Sequence, residues 1–486
     1  VANIGDLMLP SIPSGNVASA IGGGYEVANS CRFAEGDSAH LSRTFGSAGN
    51  RRTFTVSFWY KTTNKITTGQ SVKFGAIFDA GADGSNSDDM YFHTDRLNFS
   101  GYYGSTQFIL RTTAKYRDPS AWTHFVVAFD TTQGTAANRI KMYANGTQIT
   151  EFDEETYPAE NFQTSYMNLD RLHNIGTLVD GDGFPLDGYL AEFCFIDGSA
   201  LTPTSFGEFD EDSPTIWKPK DVSGLTFGTN GCYLDFEDSS NLGNDANGGT
   251  DYASTNLAAT DQATDTPTNN FATWNPLHYT SATLSEGNLK AQSTNGNYIS
   301  GVSTIGVSTS KWYAEFKLEA ESATGESIIG VTGLVRPTSA IDGQTGNFGM
   351  RNYNGLIIYT SSGSAYNNSS QHGGFTTNDI MGVGLDMDNG RVYFSKNGGW
   401  WNGSSTWGGS TPSSYITLQT DIFEEFFFLS GDAGASVNAT WNANFGSPQF
   451  TISSGNADAN GYGNFEYAVP SGYLALCTKN LGSDGG

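Results

Sequence analysis

The chain is short of charge, of basic residues in particular, of cysteine and of long apolar runs. Charged residues make up 15% of its 486 positions, and 24 Lys and Arg stand against 50 Asp and Glu, a formal net charge of −26. Nucleic-acid binding needs clustered Lys and Arg to meet phosphates, so this balance excludes that class. It suits a protein that stays soluble in salt and attracts divalent cations. No apolar run approaches the ~20 residues needed to cross a bilayer as a helix. Val1 to Pro10 show no basic region followed by an apolar core, so no secretory signal is expected. The four cysteines, Cys31, Cys194, Cys232 and Cys477, have no metal-ligand spacing. Three of them lie in apolar strand-like runs and read as buried free thiols, although a bridge depends on geometry that spacing does not supply. The six histidines do not pair with a second His or a Cys at ligand spacing. The Gly-rich run Ile21 to Gly24 lacks the Lys-Ser/Thr that phosphates need.

Glycine, by contrast, counts 60, and aromatics reach 13%. Turn residues in that number, with that much aromatic mass, point to an all-β protein rather than a disordered one. Its length suits two large sandwiches. Residues 382–401 read GVGLDMDNGRVYFSKNGGWW, with strand-like alternation on both sides of Asn389-Gly390 and a second turn at Asn397-Gly398. Residues 122–130, WTHFVVAFD, form a strand, and 139–149, RIKMYANGTQI, a hairpin on Asn145-Gly146. Asn-Gly tolerates the positive φ of a type I′ turn. Between Thr53 and Lys61, Phe54, Val56, Phe58 and Tyr60 share one face and polar residues the other, Trp59 excepted; that is the pattern of a half-buried strand. Trp312 to Leu318 alternates in the same way.

These motifs carry two resemblances. Residues 382–401 resemble the SPRY signature, and 122–149 resemble the laminin-G/concanavalin-like pattern, as do SFWYKTT at 57–63 and the run Leu186 to Pro203. They imply two concanavalin-like antiparallel β-sandwiches (jelly rolls) in tandem: 28–236 of laminin-G type and 279–481 of SPRY type. Residues 1–27 read as an N-terminal arm for attachment or a frayed end, 237–278 as a polar linker by composition, and 482–486 as a tail. The stretch DTPTNNFATWNPL at 265–277, and PSGYLALCTKNL at 470–481, resemble a connector and a C-terminus of marine bacteriophage structural proteins; Ser447 and Pro448 depart from that pattern.

Candidate chemistry is sparse. Glu151, Asp153 and Glu155 reproduce the ExDxE spacing of laminarinase-type glycosidases, which alternation on a strand would set on one face. Glu154 occupies a slot where a buried strand wants an apolar residue, so a solvated acidic loop is the preferred reading. Asp79, Asp83, Asp88 and Asp89 surround a Gly-rich turn and supply oxygen ligands for Ca²⁺; Asp180, Asp182 and Asp187 form a weaker set, with a solvated turn the alternative for both. Trp400, Trp401 and Trp407 in a Gly/Ser/Asn loop, with Tyr102 and Tyr103 in SGYYG, offer flat rings to sugars or a protein partner, or fold back over the sandwich edge. His124 reads as a packed structural residue.

The expectation is therefore a phage virion structural protein (fibre, appendage or surface decoration) exposed on the particle. It would be non-catalytic, with no required cofactor, and would bind host-surface glycans or neighbouring virion proteins multivalently. A homotrimer follows from the resemblance alone. The alternatives are a polysaccharide-degrading hydrolase using Glu151, Asp153 and Glu155, and a cellular adhesin.

Overall fold

Apolar alternation from Thr53 onward creates a strand that must bury its phenylalanines, and the first unit is built around it. The computed structural model describes residues 24–63, 74–83, 85–179, 184–278, 282–293, 299–321, 326–333, 346–352, 355–361, 364–368, 372–432 and 439–483. Two compact units divide the chain between Asn269 and Asn270.

In the first unit, Thr53–Thr62 lies between Thr123–Asp130 and Gly188–Asp197 in an eight-stranded antiparallel sheet. A second eight-stranded sheet runs Phe152–Thr156, Thr106–Thr112, Arg96–Tyr103, Asn86–His93, Phe74–Asp83, Leu172–Ile175, His40–Thr44 and Ala253–Thr255. Phe54, Phe58, Phe125 and Phe129 of one sheet meet Phe78, Phe92, Phe99 and Phe108 of the other. Such sheet-on-sheet stacking is the predicted sandwich.

The half-buried reading of Thr53–Lys61 needs correction, because this strand is covered on both faces. Trp59, the exception in the alternation, stacks on His124 at 4.8 Å and joins Trp122, Tyr189 and Trp217 in a second apolar layer outside the sheet. His124 is packed as expected: Trp217 Nε1 donates to its Nδ1 at 2.9 Å, and its Nε2 faces Ser57 Oγ at 2.9 Å. Burial lowers its pKa to about 3, so the ring is neutral.

Part of that layer comes from the stretch expected to be a linker. Ala253–Thr255 extends the second sheet against His40–Thr44, and Gln262–Ala263 pairs with Ser30–Phe33 in the first. Asp265 lies under the surface, its Oδ2 2.6 Å from Lys61 Nζ and its Oδ1 accepting Trp122 Nε1 at 3.0 Å. Asp245 likewise accepts the N–H groups of Tyr233 and Asn247. Asp245, Asp265, Thr266, Thr268 and Asn269 are buried, and the two aspartates satisfy buried groups instead of water, which composition alone does not reveal.

The second unit takes up the rest. Trp274, also within the expected linker, packs on Phe316 at 5.5 Å and Phe445 at 5.2 Å. A ten-stranded sheet centres on Lys311–Ala320 and Ile380–Asp386, and a six-stranded sheet on Ser327–Thr332 and Phe427–Asp432. Between them lie Trp312, Phe316, Phe394, Phe428 and Trp441. The residues expected to face outward from Lys311–Ala320 are covered too: Tyr313 packs with Trp400, Phe465 and Tyr473. Glu315 accepts the N–H groups of Glu466 and Tyr467, both at 2.8 Å, and the Tyr313 hydroxyl. Asn145 (φ 45°) with Gly146 (76°), and Asn397 (48°) with Gly398 (79°), make the expected two-residue turns. Asn389-Gly390 does not: Asp386 pairs with Arg391 across a longer loop in which Gly390 takes the positive φ. A short helix, Thr478–Ser483, closes the described chain.

Two outcomes follow. Asp265→Ala leaves Lys61 buried without its carboxylate and should lower the unfolding free energy by ~3–5 kcal/mol in denaturant titration; a loss under ~1 kcal/mol would remove the ion pair from the account. Glu192 occupies a bulge with φ 51°, its carboxylate accepting the hydroxyls of Tyr233 (2.9 and 3.0 Å) and Tyr25 (3.1 Å). Burial raises its pKa from 4.5 to about 8, Asp235 and Glu237 adding to the rise. Its contribution to stability is therefore complete below the unfolded value and is lost as pH climbs through about 8. Melting temperatures of Glu192→Gln should be flatter than wild type across that window; parallel curves would contradict this.

Candidate functional site

Several of the side chains singled out for chemistry are held elsewhere than the pattern suggested. Gly399–Trp401 and Trp407–Gly409 pair as strands at the edge of the ten-stranded sheet. That hairpin turns Trp400 (4% exposed) into the outer layer with Tyr313, and Trp401 (6%) into the main core. Trp407 is half-buried, its Nε1 donating to Gly374 O at 3.0 Å. The tryptophans thus cover the sandwich edge, and Trp407 alone of the three keeps a partly open ring. At the other unit, Tyr102 is 39% exposed. Tyr103, the next residue on the strand, points the opposite way and donates to Asp88 Oδ1 while accepting Ser165 N–H at 2.9 Å.

The four aspartates of the calcium reading are divided by the same alternation. Asp79 pairs across from Asp89 on the outward face, and Asp79 Oδ2 accepts Val179 N–H at 2.6 Å. Asp88 turns inward, accepts the N–H groups of Tyr166 and Met167, and has its pKa pushed up to about 6 by burial. Asp83 sits exposed at the hairpin, capping Ser85 N–H and Asn86. Among the described residues no group of three or more His, Cys, Asp or Glu is placed to hold a metal ion. Asp180 and Asp182 of the weaker set lie outside the described residues.

Glu151 lies just before the edge strand Phe152–Thr156, which carries Asp153 and Glu155, and the register shifts between Phe152 and Glu154. A bulge at Asp153 breaks the i, i+2 spacing on which a shared catalytic face depends. Asp153 instead lies 3.9 Å from Arg111 and 4.0 Å from Arg96, and Glu154 2.9 Å from Arg111. The hydrolase geometry is not assembled.

Sequence reasoning passed over the residues beside that edge. On the outward face of the second sheet, Tyr91, Asn98, Arg111 and Glu154 stand directly opposite one another across four adjacent strands. His93 and Arg96 form the next cross-strand pair. Burial, then Arg111 and Arg96, lower the His93 pKa, so the ring is neutral at pH 7. Period-two alternation could have assigned these residues to one face; the register that aligns them needed the fold. In the second unit, Arg391 lies 4.1 Å over the ring of Tyr415, which is 40% exposed and 5.6 Å from Tyr393. That arrangement is a small exposed aromatic and cationic patch.

Residues 34–205 match the family described as the concanavalin A-like lectin/glucanases superfamily, of laminin-G type, and residues 299–406 match the SPRY domain. The chain carries a laminin-G-type domain followed by a SPRY domain. No curated protein matches it. Among solved structures it is similar to the SPRY domain of human HERC1, with 15% identity over 35% of this chain and 96% of that one and a TM-score of 0.29. It is also similar to a heptameric SAP-like pentraxin from Limulus polyphemus (20% identity, 34% and 71% covered, TM-score 0.24). A third is the mouse laminin α1 chain, domains LG4-5 (10% identity, 94% and 89% covered, TM-score 0.29).

Because the aspartates of the laminin-G-type domain are divided between two faces and a turn, Asp83→Asn and Asp89→Asn should leave any calcium-dependent shift in melting temperature unchanged. A calcium shift that either variant abolished would restore the site.

Proposed function

We propose that the protein is a non-catalytic binding protein whose two sandwich domains recognise surfaces by shape and hydrogen bonding. The broken register at Asp153, with its ion pairs to Arg96 and Arg111, carries this reading, since the i, i+2 spacing that a glucanase would use is interrupted and its middle acid lies against two arginines. The lectin and SPRY matches support it at the level of fold, which does not by itself decide function. The finer reading is a virion structural protein of phage type, a fibre, appendage or decoration that contacts host-surface glycans or neighbouring virion proteins. It rests on the resemblance of residues 265–277 and 470–481 to phage structural proteins. Repetition on one particle would raise weak contacts to useful avidity, by ~10²–10⁴-fold.

The test applies the purified full chain to candidate host cells and to β-glucan. Saturable attachment, competed by isolated envelope polysaccharide and unaffected by Glu151→Gln, with no release of reducing ends, is the expected result. Glucan hydrolysis abolished by Glu151→Gln would replace this reading with the enzymatic one.

A further inference from the structure

A lysine amine and an aspartate carboxyl are sealed together inside the laminin-G-type domain. Lys61 Nζ lies 2.6 Å from Asp265 Oδ2, and the two side chains are 0% and 2% exposed. Aromatic rings of the outer layer flank them: Tyr189 stands opposite Lys61 on the neighbouring strand, its ring 5.8 Å from Nζ, and Trp122 touches the carboxylate. Two charges taken out of water must offset the loss of their hydration, whereas an amide made from the same atoms carries no charge to desolvate. Both groups are also held in place. Lys61 belongs to Thr53–Thr62, in the middle of its sheet. The backbone at Asp265 is fixed by Ser30 Oγ, which donates to Asp265 O at 2.6 Å, and by the turn in which Thr266 and Asn269 exchange N–H···O bonds. Groups oriented at contact in this way can react as though at ~10⁵–10⁸ M.

We propose that Lys61 and Asp265 join in an intramolecular isopeptide bond, which the folded domain forms on itself. The ion pair is the reactant state. A proton passes from Nζ to Oδ2 across their short hydrogen bond, leaving a neutral amine, the competent nucleophile, beside a carboxylic acid. The Nζ lone pair then attacks Cγ. Trp122 Nε1–H, 3.0 Å from Oδ1, stabilises the oxyanion that develops there. The Cγ–Oδ2 bond breaks, Oδ2 leaves as water with a second proton from Nζ, and the Nζ–Cγ amide remains. One water is lost, and no electrons are exchanged with any other group. The bond links positions 204 residues apart. A pull on the chain beyond Asp265 would otherwise peel Gln262–Ala263 from its edge pairing with Ser30–Phe33. With the bond in place, the load passes to the central strand Thr53–Thr62 instead.

The experiment is mass spectrometry of the purified full chain, with its cysteines kept reduced. The intact, denatured chain should be lighter than its sequence by one water. Because an aspartate can also lose water by cyclising on its own backbone, a protease digest locates the loss: a branched peptide should join Lys61 to the segment that contains Asp265, and trypsin should not cut after Lys61. Lys61→Arg keeps the positive charge but removes the amine, so its chain should have the full sequence mass. Trp122→Phe withdraws the donor to Oδ1 and should lower the fraction of bonded chain in freshly made protein. A wild-type chain of full sequence mass with no branched peptide overturns the proposal, and this measurement does not depend on whether either variant folds. Loss of water that persists in Lys61→Arg, or that maps to another residue, overturns it as well. An unchanged bonded fraction in Trp122→Phe overturns the role given to Trp122.

Discussion

A buried carboxylate that accepts hydrogen bonds from otherwise irregular chain is the interaction on which both units depend. Each sandwich has a second apolar layer outside one of its sheets, and irregular segments must cover it. Such segments bring backbone N–H groups and polar side chains out of water, and those groups need partners. Asp265 holds its segment through Lys61 and Trp122; Glu315 holds residues 466–467 by their N–H groups. Asp88 does the same for Tyr166 and Met167, and Asp458 for Asn460, Tyr462 and Ala475. An ion moved out of water is stable there only with several donors around it, and these have them.

That constraint changes the meaning of the acidic composition. A charge of −26 reads as solubility, yet part of it is internal framework. The same fact separates scaffold from recognition surface. Of the acids that looked like a calcium cage or a catalytic set, Asp79, Asp83 and Asp88 cap backbone N–H groups and Asp153 lies against two arginines. The row Tyr91, Asn98, Arg111 and Glu154 lies on a face assembled from four strands and named by no motif.

Much of the architecture was legible. Phe54, Val56, Phe58 and Tyr60 face the core as their alternation requires, and Asn145-Gly146 and Asn397-Gly398 turn as their conformational freedom predicts. The buried thiols are free in the structure. The outer layers were not legible. Trp59, Tyr313 and Glu315 sit at outward positions of strands, and only distant segments, some two hundred residues away for Asp265 and Lys61, decide that those positions are covered. Trp400 and Trp401 were ambiguous for the same reason: a Gly- and Ser-rich hairpin can present its rings or fold them back.

The amino-acid sequence by itself determined the all-β class, the two domains and their order, because period-two burial and Asn-Gly turns act within a few residues of one another. Tertiary structure alone decided which polar residues are framework and which are surface. It also decided which side chains share a face, since cross-strand register and the return of remote loops set the company that each residue keeps.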